Sequence, residues 1–272
     1  MIRARVVAFL ALAGYGLSSL VEEEGRTVCA LSLYVSDKSL ADRLAALFGS
    51  SRIAGARAFC RVHRERDWAS RWKEGWKPFS LTRKFHVIPL WQESRDCPAG
   101  KSPIFLDTTN AFGTGLHETT RFTARIIDRL AGRFTSFLDV GTGSGILAIV
   151  ALRCGATQCV GIDIDPGAVK VARQNLKANQ LTCRLKACDV NDFRPRTRFD
   201  LVAANLVSSD LISFRDRLIS FVRPGGHLVV SGISLENMDR VERSFALAGV
   251  HPDRVVKGRE WSAMLFKSLS FD

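Results

Sequence analysis

The residues whose types and spacing could do chemistry form a glycine-rich turn and, one predicted helix later, a carboxylate. Gly141, Gly143 and Gly145 follow an apolar run that predicts a strand, and Asp163 ends the next apolar run. Such glycines let the backbone turn tightly, approach a ligand closely and present free N–H groups at the start of a helix, where an anionic group is stabilised. The carboxylate can accept hydrogen bonds from two ribose hydroxyls. The stretch 137–165 therefore predicts a nucleotide-binding α/β unit.

The spacing of the glycines distinguishes between two kinds of ligand. A dinucleotide turn has the pattern G-x-G-x-x-G, which would need a glycine where this chain has Ile146. The pattern G-x-G-x-G with an acid at the end of the next strand instead resembles the S-adenosyl-L-methionine (SAM) site of the seven-stranded methyltransferases. That resemblance implies that the turn holds the amino-acid carboxylate of SAM and that Asp163 binds its ribose.

Two polar residues follow the next two predicted strands. Asp189 comes after a strand predicted over 183–187, where such folds often recognise the adenine amino group, although a surface turn explains an aspartate there equally well. Asn205 ends a strand predicted over 199–204, at the sheet edge where open α/β sheets bind ligands. Methyl transfer to an amine needs alignment, exclusion of water and an acceptor for the amine hydrogens, and Asn205 can supply the acceptor.

A second glycine-rich stretch, residues 109–121, precedes the first strand of this unit. It contains Phe112 and Thr114, and it opens an amphipathic helix that is predicted to run to about residue 131. A loop in this place can fold over the methionine end of SAM and shield the sulfonium from water. It can also cap the helix through Thr114 or His117. The two roles are compatible, and capping is the role that we favour for His117 over that of a general base.

Four segments together resemble one methyltransferase family, that of the methyltransferase of large-subunit ribosomal protein 11 (PrmA). These segments are AFGTGLHETTR at 111–121, LDVGTGSGILAI at 138–149, GIDIDPGAV at 161–169 and ANL at 204–206. The resemblance implies a cytoplasmic enzyme that uses SAM to methylate amines of a ribosomal protein, which its N-terminal domain holds. Matching motifs place SAM contacts at Thr120, Gly141, Asp163 and Asn205, with Phe112 and Thr114 in the loop over the cofactor.

Two departures from the family pattern concern the substrate side of the predicted site. Glu118 stands where the family usually has a proline after the loop histidine. After Asn205 the chain continues with residues 206–210, LVSSD, where the family usually has Ile-Leu-Ala-Gly-Pro. The second departure leaves the shape of the amine pocket open but not the identity of the cofactor.

The pKa of the acceptor amine bears on which amine is modified. At pH 7.4 a lysine with a pKa of about 10.4 costs roughly 4 kcal/mol to deprotonate, whereas an α-amine with a pKa near 7.8 costs about 0.5 kcal/mol. Without a strong base the α-amine is the easier target. Three alternatives stay open: a lysine methyltransferase of another protein, an RNA methyltransferase, and a ribosome-associated protein with an inactive SAM fold. The chain lacks the Asn-Pro-Pro-aromatic platform that would stack a base.

The surrounding elements predict two domains joined by a linker. Residues 79–272 have the pattern of a seven-stranded Rossmann-like α/β domain that ends in an antiparallel strand pair. Residues 1–64 follow the order α-β-β-α-β of a ferredoxin-like α+β domain without its first strand. Residues 65–78 carry three tryptophans and predict a linker helix whose tryptophans pack an inter-domain seam.

Several finer elements are also predicted from the pattern of apolar and turn residues. In the N-terminal domain, strands over 17–21 and 29–35 form a hairpin around a polar turn at 22–26. In the second half of the chain we expect a helix over 210–221, a turn at 224–226, a strand over 227–230 and a helix over 235–248.

Composition and charge restrict the class of protein and its partners. The seven cysteines are never spaced C-x-x-C and do not cluster with the five histidines, which predicts reduced thiols and no metal site. No apolar run approaches the roughly 18 to 20 residues that span a bilayer, and we do not interpret residues 1–13 as a secretory signal. The net charge is +12, and the basic stretch 52–84 is either a solvated surface or a contact with RNA. We expect a monomer.

Overall fold

The computed structural model describes residues 20–24, 29–33, 42–43, 46, 76–107 and 113–267. The chain divides into two compact units, Met1–Ser70 and Arg71–Asp272. Phe112 and most of the predicted ferredoxin-like domain and linker helix lie outside the described residues. The boundaries 1–64, 65–78 and 79–272 therefore stay predictions.

In the first unit the described residues form one antiparallel strand pair. Strand β1 (Leu20–Glu24) pairs with β2 (Cys29–Leu33), and the register runs from Leu20 opposite Leu33 to Glu24 opposite Cys29. The bounds predicted for the first strand and its turn were wrong, because residues 22–24 belong to β1. Backbone groups form the ladder, so consecutive glutamates do not end a strand by themselves.

The second unit begins with a three-stranded sheet made of β3 (Phe79–Ser80), β4 (Phe85–Pro89) and β5 (Ser102–Leu106). Strand β4 pairs antiparallel with β3 and parallel with β5. All five residues of β4 are buried, as expected for a central strand.

The main sheet has seven strands in the order β11-β12-β10-β9-β6-β7-β8. The strands from β10 through β8 run parallel, whereas β12 is antiparallel to both of its neighbours. The carboxyl ends of the five parallel strands and the first residue of β12 therefore share one edge, called the carboxyl edge below. The strands are β6 (Ser136–Val140), β7 (Gln158–Asp163), β8 (Arg184–Ala187), β9 (Phe199–Asn205), β10 (Val222–Ser234), β11 (Arg254–Lys257) and β12 (Trp261–Lys267).

Two hydrophobic cores cover the two faces of this sheet. Because side chains alternate along a strand, Phe137 and Leu201 belong to one core, while their neighbours Leu138 and Val202 belong to the other. The helices of the first core are α1 (Glu118–Arg129), α2 (Ile146–Arg153) and the end of α3 (Pro166–Ala178), and those of the second are α4 (Ser208–Ser213), α5 (Arg215–Ser220) and α6 (Met238–Ala246).

Helix α3 also binds the open edge of β5 through two buried asparagines. Asn179 accepts a hydrogen bond from the Phe105 N–H at 3.0 Å and donates to the Phe105 carbonyl at 2.7 Å. Asn175 forms the same pair of bonds with Asp107, at 2.7 and 2.9 Å, and also donates to the Ser144 carbonyl in the glycine-rich turn. Side-chain amides thus replace the missing strand neighbour of β5.

Three of the finer predictions were wrong in their bounds. The helix predicted over 210–221 is two short helices, because Phe214 leaves helical geometry (φ −94°, ψ 5°) while its side chain packs against the second core. Residues 224–226 lie inside the 13-residue strand β10 as an irregularity between Val222 and His227. The last predicted helix is a short 3₁₀ turn (Leu235–Asn237) followed by α6.

Candidate functional site at the carboxyl edge

The glycine-rich turn connects β6 to α2 at this edge. Gly141, Gly143 and Gly145 all have positive φ, at 73°, 51° and 80°. The φ of 73° favours glycine at position 141, and a Cβ there would lie 2.6 Å from Leu206 Cδ2, so the end of that side chain would have to move. The N–H of Gly141 donates to the Ile162 carbonyl at 2.9 Å, which fixes the turn against the end of β7.

Asp163, at the end of β7, lies beside this turn as the sequence predicted. Its Oδ2 accepts a hydrogen bond from the Gly143 N–H at 2.9 Å, and its Oδ1 accepts one from the Asp165 N–H at 3.0 Å. The residue is half-buried. An ionised carboxylate has about four acceptor positions, so two backbone donors orient this group and leave capacity for ligand hydroxyls.

Asp139 lies beneath the turn and was missed by the sequence reasoning. Its side chain is fully buried, and its Oδ2 accepts a hydrogen bond from Thr142 Oγ1 at 2.8 Å. Burial raises the pKa of Asp139 to about 7, although the Thr142 hydroxyl favours the ionised form. The sequence does contain a signal for this residue, because Asp139 is a carboxyl in an otherwise apolar strand, two residues before the first glycine.

The second glycine-rich stretch packs against the first. Ser144 Oγ donates to the Gly113 carbonyl at 2.6 Å. A Cβ on Gly113 would lie 2.9 Å from Ser144 Oγ, and one on Gly115 would lie 2.8 Å from the Ile146 side chain. The described residues 113–117 therefore lie directly against the turn and the start of α2.

The capping prediction for α1 was half right. His117 occupies the N-cap position, but no capping hydrogen bond from its side chain is present. Its Nδ1 lies 2.7 Å from Thr119 Oγ1, and Thr114 Oγ1 accepts from the Leu116 N–H at 3.2 Å, within the loop. The loop is thus held by its own local bonds and by Ser144.

Thr120 and Asn205 meet at the centre of the carboxyl edge. Asn205 Nδ2 donates to Thr120 Oγ1 at 3.4 Å, with Thr120 buried and Asn205 half-buried. An amide that donates through Nδ2 retains Oδ1 as an acceptor. The sequence placed both residues in one site, and the structure brings them together.

The position of Asn205 depends on a neighbouring segment of β10 that the sequence reasoning missed. Ser231 pairs with Asn205 in the ladder, and its buried Oγ donates to the Thr119 carbonyl at 3.3 Å. The next residue, Gly232, has φ 89°, and a Cβ there would overlap the Leu206 carbonyl. A glycine within an apolar strand was the signal for this close approach.

Asp189 follows β8 at the same edge. Its Oδ1 accepts from the Asn191 N–H at 2.7 Å, which is the local bond of an aspartate turn. The Cys188 N–H donates to the Asp163 carbonyl at 2.8 Å, so the segment adjoins the end of β7. The turn role is present, and the adenine role stays a prediction.

The acidic, histidine and cysteine side chains form no metal centre in the described part of the chain. Within the described ranges, no cluster of three or more His, Cys, Asp or Glu side chains could hold a metal ion. The described cysteines 97, 154, 159, 183 and 188 are free thiols, and burial raises the pKa of Cys154 to about 11. None of the helices in the described part of the chain is long and apolar enough to cross a membrane.

A mostly parallel sheet whose first strand ends in a left-handed glycine turn, beside a carboxylate that ends the second strand, is the arrangement of the nucleotide-binding α/β folds, to which the SAM-dependent methyltransferases belong. The profile of the family described as "Ribosomal protein L11 methyltransferase (PrmA)" matches residues 18–268. The chain therefore belongs to the PrmA family, as the resemblance of its motifs predicted.

Individual relatives agree with this assignment. The chain is 36% identical over 269 residues to the ribosomal protein L11 methyltransferase of Geobacter metallireducens, covering 95% of this chain and 87% of that protein. It is 38% identical over 224 residues to that of Geobacter sulfurreducens, covering 82% and 73%. The solved structure of the ribosomal protein L11 methylase from Lactobacillus delbrueckii subsp. bulgaricus matches with a TM-score of 0.66 at 27% identity, covering 71% of this chain and 99% of that one.

Proposed function

We propose that this chain transfers methyl groups from SAM to amines of ribosomal protein L11. The observation that carries the proposal is the contact between Thr120 and Asn205, 85 residues apart in the chain, beside the glycine-rich turn. Leu206, the residue after Asn205, lies against Gly141. A candidate amine acceptor and a candidate cofactor site therefore adjoin on one sheet edge, and relatives named for L11 methylation supply the substrate.

The residues at this edge fit SAM in chemical type. Within the turn 141–145 the N–H groups of Gly141, Thr142, Gly143 and Gly145 donate to Ile162, Asp163 and Thr142, so the amino-acid carboxylate would be received by the Ser144 N–H before α2, and Asp163 supplies a carboxylate for the ribose. Asp189 would receive the adenine amino group, and Thr120 with Asn205 would adjoin the methyl end. Phe112 and Thr114 belong to the stretch that would cover it. When bound, SAM supplies a methyl group on a positively charged sulfur.

The protein would then align the amine with the methyl group and exclude water from the site. Asn205 Oδ1 would accept a hydrogen bond from a neutral amine and direct its lone pair along the transfer line. Residues 113–117 would exclude water from this space. A neutral amine needs no proton removed before attack, so the α-amine of L11 is the easier substrate and a lysine requires prior loss of its proton to solvent.

Two parts of the proposal concern partners and location. We place the activity in the cytoplasm and assign substrate binding to the predicted ferredoxin-like domain at 1–64. A contact with RNA through the basic stretch 52–84 stays an alternative. Lys84, the last residue of this stretch, is paired with Asp128 at 3.0 Å, which reduces the charge that this one residue offers to phosphate groups.

The proposal can be tested with labelled SAM and a mixture of ribosomal components. The full chain is incubated with labelled SAM and with ribosomes from a strain that lacks this gene, before and after nuclease treatment. Label on L11 that survives nuclease supports the proposal. Label on another protein supports the alternative of a different protein substrate, and label lost with nuclease supports an RNA substrate.

A further inference from the structure

The order of the strands leaves one side of Asn205 available for the substrate protein. Gly141, Asp163 and Asp189 follow β6, β7 and β8, which all lie on one side of β9. On the other side of β9 lie β10 and β12. The segment of the substrate next to the methylated amine must therefore contact residues at the ends of β10 and β12, and this inference rests on the proposed function.

Three apolar side chains with exposed surface lie on that side. Leu116 is 46% exposed and Leu235 is 37% exposed, while Trp261 is half-buried. We call these three residues the apolar wall. Among the described residues, the other large apolar side chains with this much exposure are Leu247 and, after β7 and β9 at the same edge, Ile164 and Val207.

Ring and backbone contacts connect the three segments that carry the apolar wall. The Trp261 ring lies 4.9 Å from the His117 ring, centroid to centroid, at 65°, and His117 directly follows Leu116. Trp261 pairs with Ser234 in the β10–β12 ladder, and the Leu235 N–H donates to the Glu260 carbonyl at 2.9 Å. The wall thus runs from the end of β10, across the start of β12, to the loop before α1.

Glu118 holds the wall in place from the first turn of α1. Its carboxylate accepts the Arg259 N–H at 3.2 Å, in the connection between β11 and β12. A Cβ on Gly258 would lie 2.5 Å from Glu118 Oε2, so this connection approaches the carboxylate closely. Glu118 stands where the family pattern usually has a proline, which could not accept this bond.

Distance decides which part of the substrate the wall would contact. Ser231 pairs with Asn205 on one side and with Ala263 on the other, and Trp261 lies two residues before Ala263 on β12. Two strand residues span about 7 Å and two inter-strand spacings about 10 Å, so the Cα atoms of Asn205 and Trp261 are separated by about 12 Å. Trp261 is therefore too far from Asn205 to touch the reacting amine, but within reach of residues that flank it in a peptide.

We propose that the apolar wall binds an apolar side chain of the substrate that flanks the methylated amine, and that Glu118 is its positioning residue. Charge agrees with a cationic peptide segment as the occupant. Glu236 and Glu260 are exposed beside Leu235 and Trp261, together with Arg259, on a chain whose net charge is +12. Carboxylates at this point favour a substrate that carries ammonium groups near its apolar residue.

The test measures steady-state methylation of L11 together with SAM affinity. Trp261→Ala and Leu235→Ala are each expected to raise KM for L11, about tenfold for the tryptophan, with the Kd for SAM unchanged by calorimetry. Trp261→Phe keeps an aromatic surface and should lie close to wild type. Leu247→Ala is the matched control, because Leu247 is 86% exposed just after α6, away from the wall, and should leave KM unchanged.

Substitutions of Glu118 provide a second test of the proposal. Glu118→Gln keeps an acceptor oxygen for the Arg259 N–H and should retain most of the wild-type KM, whereas Glu118→Ala should raise it without changing the Kd for SAM. Thermal unfolding of each variant identifies any that fail to fold, and if Trp261→Ala is one of them, the KM of Leu235→Ala alone decides the comparison.

Two results would overturn the inference. One is a KM for L11 within twofold of wild type in both Trp261→Ala and Leu235→Ala, and the other is an equal loss of SAM affinity in these variants. A wild-type chain that methylates no protein is a different result, because it defeats the proposed function itself. If the wild type labels another protein, the same KM comparison is made with that protein.

Discussion

At the scale of single residues, the buried carboxyl of Asp139 makes stability depend on pH. Its folded pKa of about 7 lies above the usual value of 3.8. The stability associated with the protonated form is therefore complete below pH 4 and is lost as pH rises through about 7. Asp139→Asn keeps an acceptor for the Thr142 hydroxyl and removes the titration.

We expect Asp139→Asn to be more stable than wild type at pH 8, by up to about 4 kcal/mol, and no more stable at pH 4. Urea unfolding of the ligand-free protein at several pH values measures the difference. If wild type and variant show parallel stability profiles, the carboxyl is not the titrating group.

Substitutions of Asp163 and Asn205 are expected to affect SAM affinity and turnover separately. Asp163→Ala removes a charged acceptor for the ribose hydroxyls, and we expect SAM affinity to fall by about two orders of magnitude. Asn205→Ala should leave SAM affinity within about threefold and lower kcat, because its role is toward the amine. Calorimetry and initial rates measure both effects. Unchanged SAM affinity in Asp163→Ala would disprove the ribose assignment.

At the scale of secondary-structure elements, the bulge at Gly232 sets where β9 ends relative to β10. Gly232→Ala places a Cβ over the Leu206 carbonyl and should displace Leu206 and Asn205. We expect a loss of about 2 to 4 kcal/mol in the free energy of unfolding and a lower kcat. Gly249→Ala is the control: it has a similar φ of 75° but no atom within 4 Å of the added Cβ. Equal unfolding midpoints in the two variants would show that the contact with Leu206 is not rigid.

The elements that the sequence could predict are those with a local signal. Glycine spacing, strand-terminal acids and Pro166 at the start of α3 each constrain the backbone where they stand, so β6, α2, β7 and α3 were found. Phe214, Ser231 and Asn175 act through residues distant in the chain, and no local pattern reports such contacts. The contact between Thr120 and Asn205 also joins residues distant in the chain, so periodicity could not predict it. The family motif provided the signal instead.

At the scale of the whole molecule, we propose that the N-terminal region binds the substrate protein and that methyl transfer takes place at the carboxyl edge. A chain that begins at Asp67 is expected to bind SAM with wild-type affinity and to methylate L11 with a much lower kcat/KM. SAM affinity serves as the control for folding of the fragment. Methylation of L11 as fast as by the full chain would place substrate recognition in the catalytic domain.

The central claim is that Asn205 and the adjoining glycine-rich turn transfer methyl groups to amines of L11. The most direct measurement is the intact mass of L11 after incubation with SAM and the full chain, followed by peptide mapping, with Asn205→Ala in parallel. The account predicts a mass increase in whole methyl increments, located on amine nitrogens, that Asn205→Ala slows strongly. An unmodified L11 in the presence of a wild-type chain that binds SAM would contradict it.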